Sequence, residues 1–174
     1  MTMIKPLLIV FSIFAMPFAL LADQTAVRVE PSDLQGPRQL QQQTATAAIH
    51  DYLQAWQGLS AALEQNRADL LDPDFVGTAR DKLANTVHEQ AALGIHTRYR
   101  DRSHDLRIVL YSPEGLSIQL IDNVEYDEQV FDQDKVLTTQ RVHARYIVVL
   151  TPSEMRWRVR IFQVGPQESA HLKK

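Results

Sequence analysis

The stretch "LSIQLIDNVEY", residues 116–126, alternates with a period of two. Leu116, Ile118, Leu120, Asp122, Val124 and Tyr126 share one face, and Ser117, Gln119, Ile121, Asn123 and Glu125 share the other. Such alternation marks a strand with one buried side. It also poses a problem, because the buried row contains an aspartate. Working outward, the strand runs over 116–130, and the same period recurs at 104–111, 136–150 and 154–164. "SPEG" (112–115), "DQD" (132–134) and "TPSE" (151–154) separate the four segments. In SPEG the proline stands second and the glycine fourth, which suits a type I turn closed by a glycine bulge.

Register follows from the rule that a one-residue slip exchanges the faces. Three-residue loops at the first two turns pair Leu106 with Asp122, Ile108 with Leu120 and Leu110 with Ile118, then Val124 with Val142 and Leu120 with Tyr146. A tight turn at Pro152-Ser153 pairs Val148 with Trp157 and Tyr146 with Val159. Each hairpin then sets apolar face against apolar face.

Upstream the period changes. Ile49, Tyr52, Leu53, Trp56, Leu59 and Leu63 fall three or four residues apart, which predicts a helix over about 38–66. A second helix is expected from Asp72 as N-cap and Pro73 in the first turn, with Phe75, Ala79, Leu83 and Val87 on its apolar face and Gly94 as a left-handed C-cap. Two helices followed by four meandering strands, with no crossover helix, make an α+β domain with an antiparallel sheet.

The chain has 174 residues, 45% of them hydrophobic, which suits one globular domain with short appendages. A net charge of −3 argues against a nucleic-acid partner. There is no cysteine, which excludes disulfides, thiolate metal sites, a cysteine nucleophile and lipoprotein acylation. Residues 1–22, "MTMIKPLLIVFSIFAMPFALLA", place one lysine before an uncharged apolar run and end on a small residue. That is a secretory signal pattern with cleavage near Ala22, or, with residues 4–22 retained, a membrane tether. Both readings put the rest of the chain outside the cytoplasm. Residues 23–38 read as a linker with a short extended piece at Val27–Val29, 39–165 as the domain, and 166–174 as a C-terminal tail.

The helix carrying "YLQAWQGL" (52–59), the helix "FVGTARDKLANTVHEQAALG" (75–94) and the last strand with "RWRVRIFQ" (156–163) stand in an order that resembles the nuclear transport factor 2-like superfamily, the cystatin-like α+β roll. The resemblance covers residues 40–165. It implies a curved sheet and helices that enclose a cone-shaped pocket lined by the apolar face. The superfamily includes ketosteroid isomerases, dehydratases, polyketide cyclases, non-enzymatic binding proteins and membrane-anchored assembly components, so the fold leaves the activity open.

On this register Asp122 faces Leu106, with His104 and Val124 one step away and Tyr126, Tyr146 and Trp157 pointing the same way. Asp122, Tyr126, Tyr146 and Trp157 are the candidate pocket residues. Asp122 with His104 is the one candidate catalytic pair, since apolar surroundings raise a carboxyl's proton affinity toward that of a general base. The structural alternative makes Asp122 a polar contact that shapes the pocket, with Tyr126 and Tyr146 as donors. The other face carries Arg107, Arg141, Arg145, Arg156, Arg158 and Arg160 among Val109, Ile121, Ile147 and Val149. Arginine interleaved with aliphatics fits either a solvated face or a contact surface. Arg145, Ile147, Arg158 and Arg160 are the candidate interface of a homodimer, with Arg145 opposite Arg160 as a like-charge pair. In "TRYRDRSHD" (97–105) an unbroken strand would bury Arg98, Arg100 and Arg102 together. A bulge or bend is therefore expected between Asp101 and Ser103, either in a charged loop or carrying Asp101 toward the pocket mouth.

The six histidines show no metal-ligand spacing, and no phosphate loop or nucleophile elbow appears, so no metal or cofactor is expected. Three functions from different classes fit: an exported, non-catalytic domain binding a small apolar ligand or a partner protein, a membrane-tethered component of an envelope assembly, and a pocket enzyme of the isomerase or dehydratase kind.

Overall fold

The computed structural model describes residues 25–32, 34 and 38–166. The signal or tether segment lies outside the described residues, as does all of the tail beyond Pro166.

Helix α1, Gln42–Gln65, buries Tyr52, Ala55, Trp56, Leu59, Ala62 and Leu63 along one stripe, as the spacing predicts. It stops at Asn66, a left-handed residue with φ 54° whose N–H donates to the Ala62 carbonyl. Helix α2, Gly77–Ala92, begins later than the Asp72-Pro73 signal suggests. Asp72 instead closes a short 3₁₀ turn at Ala68–Leu71. The intervening chain turns at Asp72–Asp74 and then gives its backbone groups to a strand: Val76 N–H donates to Val159 O at 2.9 Å and Val159 N–H to Asp74 O at 2.8 Å. Gly77 (φ 54°) then turns the chain into α2, and Gly94 (φ 71°) ends it in the expected left-handed cap.

The sheet has five strands in the order β1-β2-β3-β4-β5. They are β1 Ala26–Val29, β2 Ile95–Tyr111, β3 Ile118–Asp132, β4 Lys135–Pro152 and β5 Trp157–Val164. The last four form the antiparallel meander read from the sequence. The expected four-stranded sheet gains a fifth member: β1, drawn from the segment expected to be a linker, pairs in parallel with Ser103–Leu106 of β2. The fold is α+β, two helices on one face of a mostly antiparallel sheet.

The registers keep the expected facing but differ in offset. Leu106 stands opposite Asp122 and Ile108 opposite Leu120, as expected. Nearer the turn a bulge at Val109 pairs Leu110 with Gln119 and turns Leu110 out to solvent. Between β3 and β4 a two-residue turn with Gln133 at φ 50°, plus a bulge beside Val130, moves the partners by two. Val124 therefore faces Ala144 and Asp122 faces Tyr146. An even shift leaves every side chain on its predicted face. The β4–β5 connection departs furthest. Its loop is Ser153–Arg156, closed by Ser153 N–H donating to Arg156 O at 2.8 Å, so Trp157 pairs with Pro152 and Val159 with Leu150. A bulge then sets Ile161 opposite Val149 and turns Phe162 inward. Arg160 is the extra residue, and Gly165 donates to the Arg145 carbonyl at 2.7 Å. The expected Arg145–Arg160 pair does not form.

Candidate functional site

Asp122 is fully enclosed, and its Oδ2 accepts two hydrogen bonds. One comes from the Tyr52 hydroxyl of α1 at 2.7 Å. The other joins it to His104 Nδ1, also at 2.7 Å. The strand diagonal that made His104 a candidate does bring the two together, since Leu106 is opposite Asp122 and His104 opposite Val124. Tyr126 and Tyr146, the expected donors, instead bond each other at 3.3 Å. Tyr52 reaches Asp122 because α1 lies across the inner sheet face, a placement that strand register alone does not reveal. The signal for it was present: a tyrosine in a buried helical stripe needs a partner for its hydroxyl.

Trp56, one turn after Tyr52, closes the cluster. Its ring meets His104 edge-on at 5.1 Å, Tyr126 at 5.6 Å and Tyr146 at 5.6 Å, and stacks on Tyr99 at 5.9 Å. Phe162 stacks on Tyr146 at 4.5 Å and completes the aromatic wall. The Trp56 indole N–H donates to Asp101 Oδ1 at 2.8 Å. Asp101 can reach it because the expected bulge exists: Asp101 faces Tyr126, Ser103 faces Glu125, and Arg102 is the extra residue. β2 continues through the bulge, so Asp101 belongs to a strand that points it inward and not to a charged loop. Arg102 meanwhile pairs outward with Asp127.

The electrostatics of this core favour neutral phenols. Burial, then the Asp122 charge and hydrogen bond, push Tyr52 well above the ordinary range for tyrosine. Burial likewise raises Tyr99, Tyr126 and Tyr146. Trp56, Tyr52, His104 and Asp122 are each at most 2% exposed, and Tyr99, Tyr126, Tyr146 and Phe162 pack around the Trp56 ring. Asp122 Oδ1 has no hydrogen-bond partner among the described residues. The cluster has the groups of an acid–base pair, and the described residues bury them. Trp157, the remaining pocket candidate, lies apart from it: its N–H donates to Asp51 Oδ2 at 2.8 Å near the start of β5.

The outer face is built differently. Ser103, Asp105, Asn123, Glu125, His143 and Arg145 surround an open concavity of about 490 Å³ across β2, β3 and β4. Glu125 and Asp127 form an acidic row on β3, beside Arg141 and His143 on β4. Arg141 Nε lies 3.4 Å from Glu125 and 3.2 Å from Asp127. Hydrogen bonds from Arg102, and with them Arg141, hold the Asp127 carboxyl down at about 2. Of the four candidate interface residues, Arg145 and Ile147 lie on this face, with Ile147 half-buried against Gly165. Arg158 instead donates to the carbonyls of Asp72 and Phe75, and Arg160 stands beside Gly77 at the start of α2. The β5 loop and bulge carry these two away from the face.

No protein-family model matches the chain, and no curated protein matches its sequence. Solved structures match its fold. The intermembrane-space region of the chloroplast protein ARC6 aligns with TM-score 0.57 and 14% identity over 73% of this chain and 98% of its own. A candidate scytalone dehydratase from Novosphingobium aromaticivorans aligns with TM-score 0.52 and 13% identity over 71% and 87%. A candidate dehydratase of the nuclear transport factor 2-like family from Streptomyces avermitilis aligns with TM-score 0.50 and 9% identity over 71% and 99%. The fold is that of the nuclear transport factor 2-like superfamily, with no single family inside it identified.

Proposed function

We propose that this protein is an exported, non-catalytic interaction domain whose outer sheet face pairs with a second copy of the chain. One observation carries the reading. The helices pack on the inner face, where they bury the Asp122–His104 cluster, whereas the outer face of β3 and β4 carries an acidic row beside a basic row around an open concavity. A two-fold axis in the interface plane, parallel to the strands and between β3 and β4, sets each row of one copy against the opposite row of the other. Ile147, on the same face, supplies apolar contact. Export rests on the signal pattern of residues 1–22, and a shared fold with an intermembrane-space domain fits that location. Sedimentation tests the proposal: wild type should be dimeric and Ile147→Glu monomeric with an unchanged circular dichroism spectrum. Monomeric wild type at high concentration would defeat it.

A second reading, a pocket enzyme of the isomerase or dehydratase kind, draws on the 2.7 Å contact of His104 with Asp122. It requires Trp56 to leave its place over the pair. In a Trp157→Phe background, acrylamide quenching of Trp56 fluorescence comparable to that of free indole would favour the enzyme, and a shielded indole favours the interaction domain.

A further inference from the structure

Strand β1 forms one edge of the sheet. Its residues Ala26–Val29 pair with Ser103–Leu106 of β2, and among the described residues no strand lies on the other side. All four residues are exposed although two are valines: Val27 is 47% and Val29 50% exposed.

Geometry decides what this edge offers. The N–H and C=O of one strand residue point to the same side, and those of the next point to the opposite side. Glu30 N–H donates to the Leu106 carbonyl at 2.8 Å, so Arg28 and Ala26 also turn their main-chain groups toward β2. Those of Val27 and Val29 therefore point to the open edge. Side chains alternate in step. Val27 lies beside His104 and Val29 beside Leu106, both buried, which puts the valines on the inner, helix-bearing face and Arg28 on the outer one. Next to Val29 an apolar hollow of about 360 Å³ separates β1 from the first turns of α1, with Pro31, Ala45, Ile49 and Ile108 in its walls. Glu30 stands 3.7 Å from Arg107, and Arg28 has no ion-pair partner among the described residues.

We infer that the open edge of β1 is a docking site for an extended segment of another protein in which a carboxylate stands between two apolar side chains. The segment runs as a sixth strand. Its main chain bonds the N–H and C=O groups of Val27 and Val29, its carboxylate faces Arg28 on the outer side, and its apolar residues flank the two valines on the inner side. One of these apolar residues enters the hollow beside Ile49. A strand of four residues offers main-chain groups from only two, so the side chains carry much of the recognition.

Charge favours such a partner over a second copy. Antiparallel self-pairing of β1 about its centre sets Arg28 against Arg28. A shift that sets Arg28 against Glu30 brings Pro31, which has no N–H, opposite Val27. The opposite shift leaves Arg28 facing Ala26. None of the groups used here lies on β3 or β4, whose outer face is proposed for self-association.

The test is fluorescence anisotropy with a labelled peptide of alternating valine and glutamate, about seven residues or roughly 23 Å long when extended. It should bind the full chain. A valine–lysine peptide should bind at least about tenfold more weakly, as should the glutamate peptide N-methylated at its valines, whose amides face β1. Val29→Pro removes an open-edge donor and no bond to β2, so it should weaken binding by a similar factor while the circular dichroism spectrum persists. Arg28→Glu should reverse the preference between the two peptides. Ile147→Glu should bind as wild type does, which separates this site from the dimer face. Absence of binding, or binding that survives Val29→Pro or ignores peptide charge, would overturn the inference. So would a dimer converted to monomer by Val29→Pro or Arg28→Glu and not by Ile147→Glu, because the edge would then belong to a second copy.

Discussion

Replacing Asp122 by leucine or by asparagine separates the two roles open to a buried carboxylate. Leucine fills a similar volume but strands two donors at a site with no water access: the Tyr52 hydroxyl and the His104 Nδ1–H, each 2.7 Å from Oδ2. A stranded buried donor costs about 1–3 kcal/mol, so the pair sets an upper bound of about 6 kcal/mol. Leucine also removes an enclosed carboxyl whose Oδ1 has no partner among the described residues, and this recovers part of the loss. The expected net loss is about 2–4 kcal/mol. Asparagine keeps an acceptor for both donors, though its amide N–H groups take the place of the unpartnered Oδ1, and it should cost less than leucine. Urea unfolding at neutral pH measures both as midpoint shifts at constant slope. A second substitution checks the cause. Tyr52→Phe should destabilise wild type but stabilise the leucine variant, because it removes a stranded hydroxyl. A leucine variant as stable as wild type, or a Tyr52→Phe effect equal in both backgrounds, would refute the account and return Asp122 to a purely functional role.

Trp56→Ala should cost at least about 3–5 kcal/mol in the same assay, since it empties the space between His104, Tyr99, Tyr126 and Tyr146 and leaves Asp101 without its indole donor. A loss below about 1 kcal/mol would mean that the ring does not pack as described. The fold should also unfold cooperatively in alkali. Burial raises the folded-state values of Tyr52 and Tyr126 above the ordinary 10.0, so their contribution is full below pH 10.0 and is lost as pH rises beyond it. Phenolate absorbance and circular dichroism should change together above that pH, and gradual ionisation of all tyrosines around 10.0 without unfolding would contradict the burial.

The architecture and the sealed aspartate's nearest strand neighbours were legible in the order of residues. Periods of 3.6 and 2 separated helices from strands, and the parity of the pleat set the face of nearly every strand residue from 104 to 150. Residue spacing alone therefore placed Asp122 opposite Leu106 and one diagonal from His104, where the fold has them. The bulge at Arg102 was legible for an energetic reason, since an unbroken strand would have buried three arginines. Three other features came only with the packed fold. It brought Tyr52 and Trp56 over Asp122 and His104, because helix position on a sheet depends on packing across the core, which spacing along one chain does not encode. It moved β5 by a four-residue loop and a bulge, because Asp74 and Val76 pair with Val159 and hold that strand from its other side. That movement turned Phe162 inward and took Arg158 and Arg160 off the outer face. Finally, it set where β5 meets β4, with pairs from Tyr146 to Pro152: strand length is written in the local pattern, but where the partner strand falls depends on a hairpin register that only the assembled fold sets.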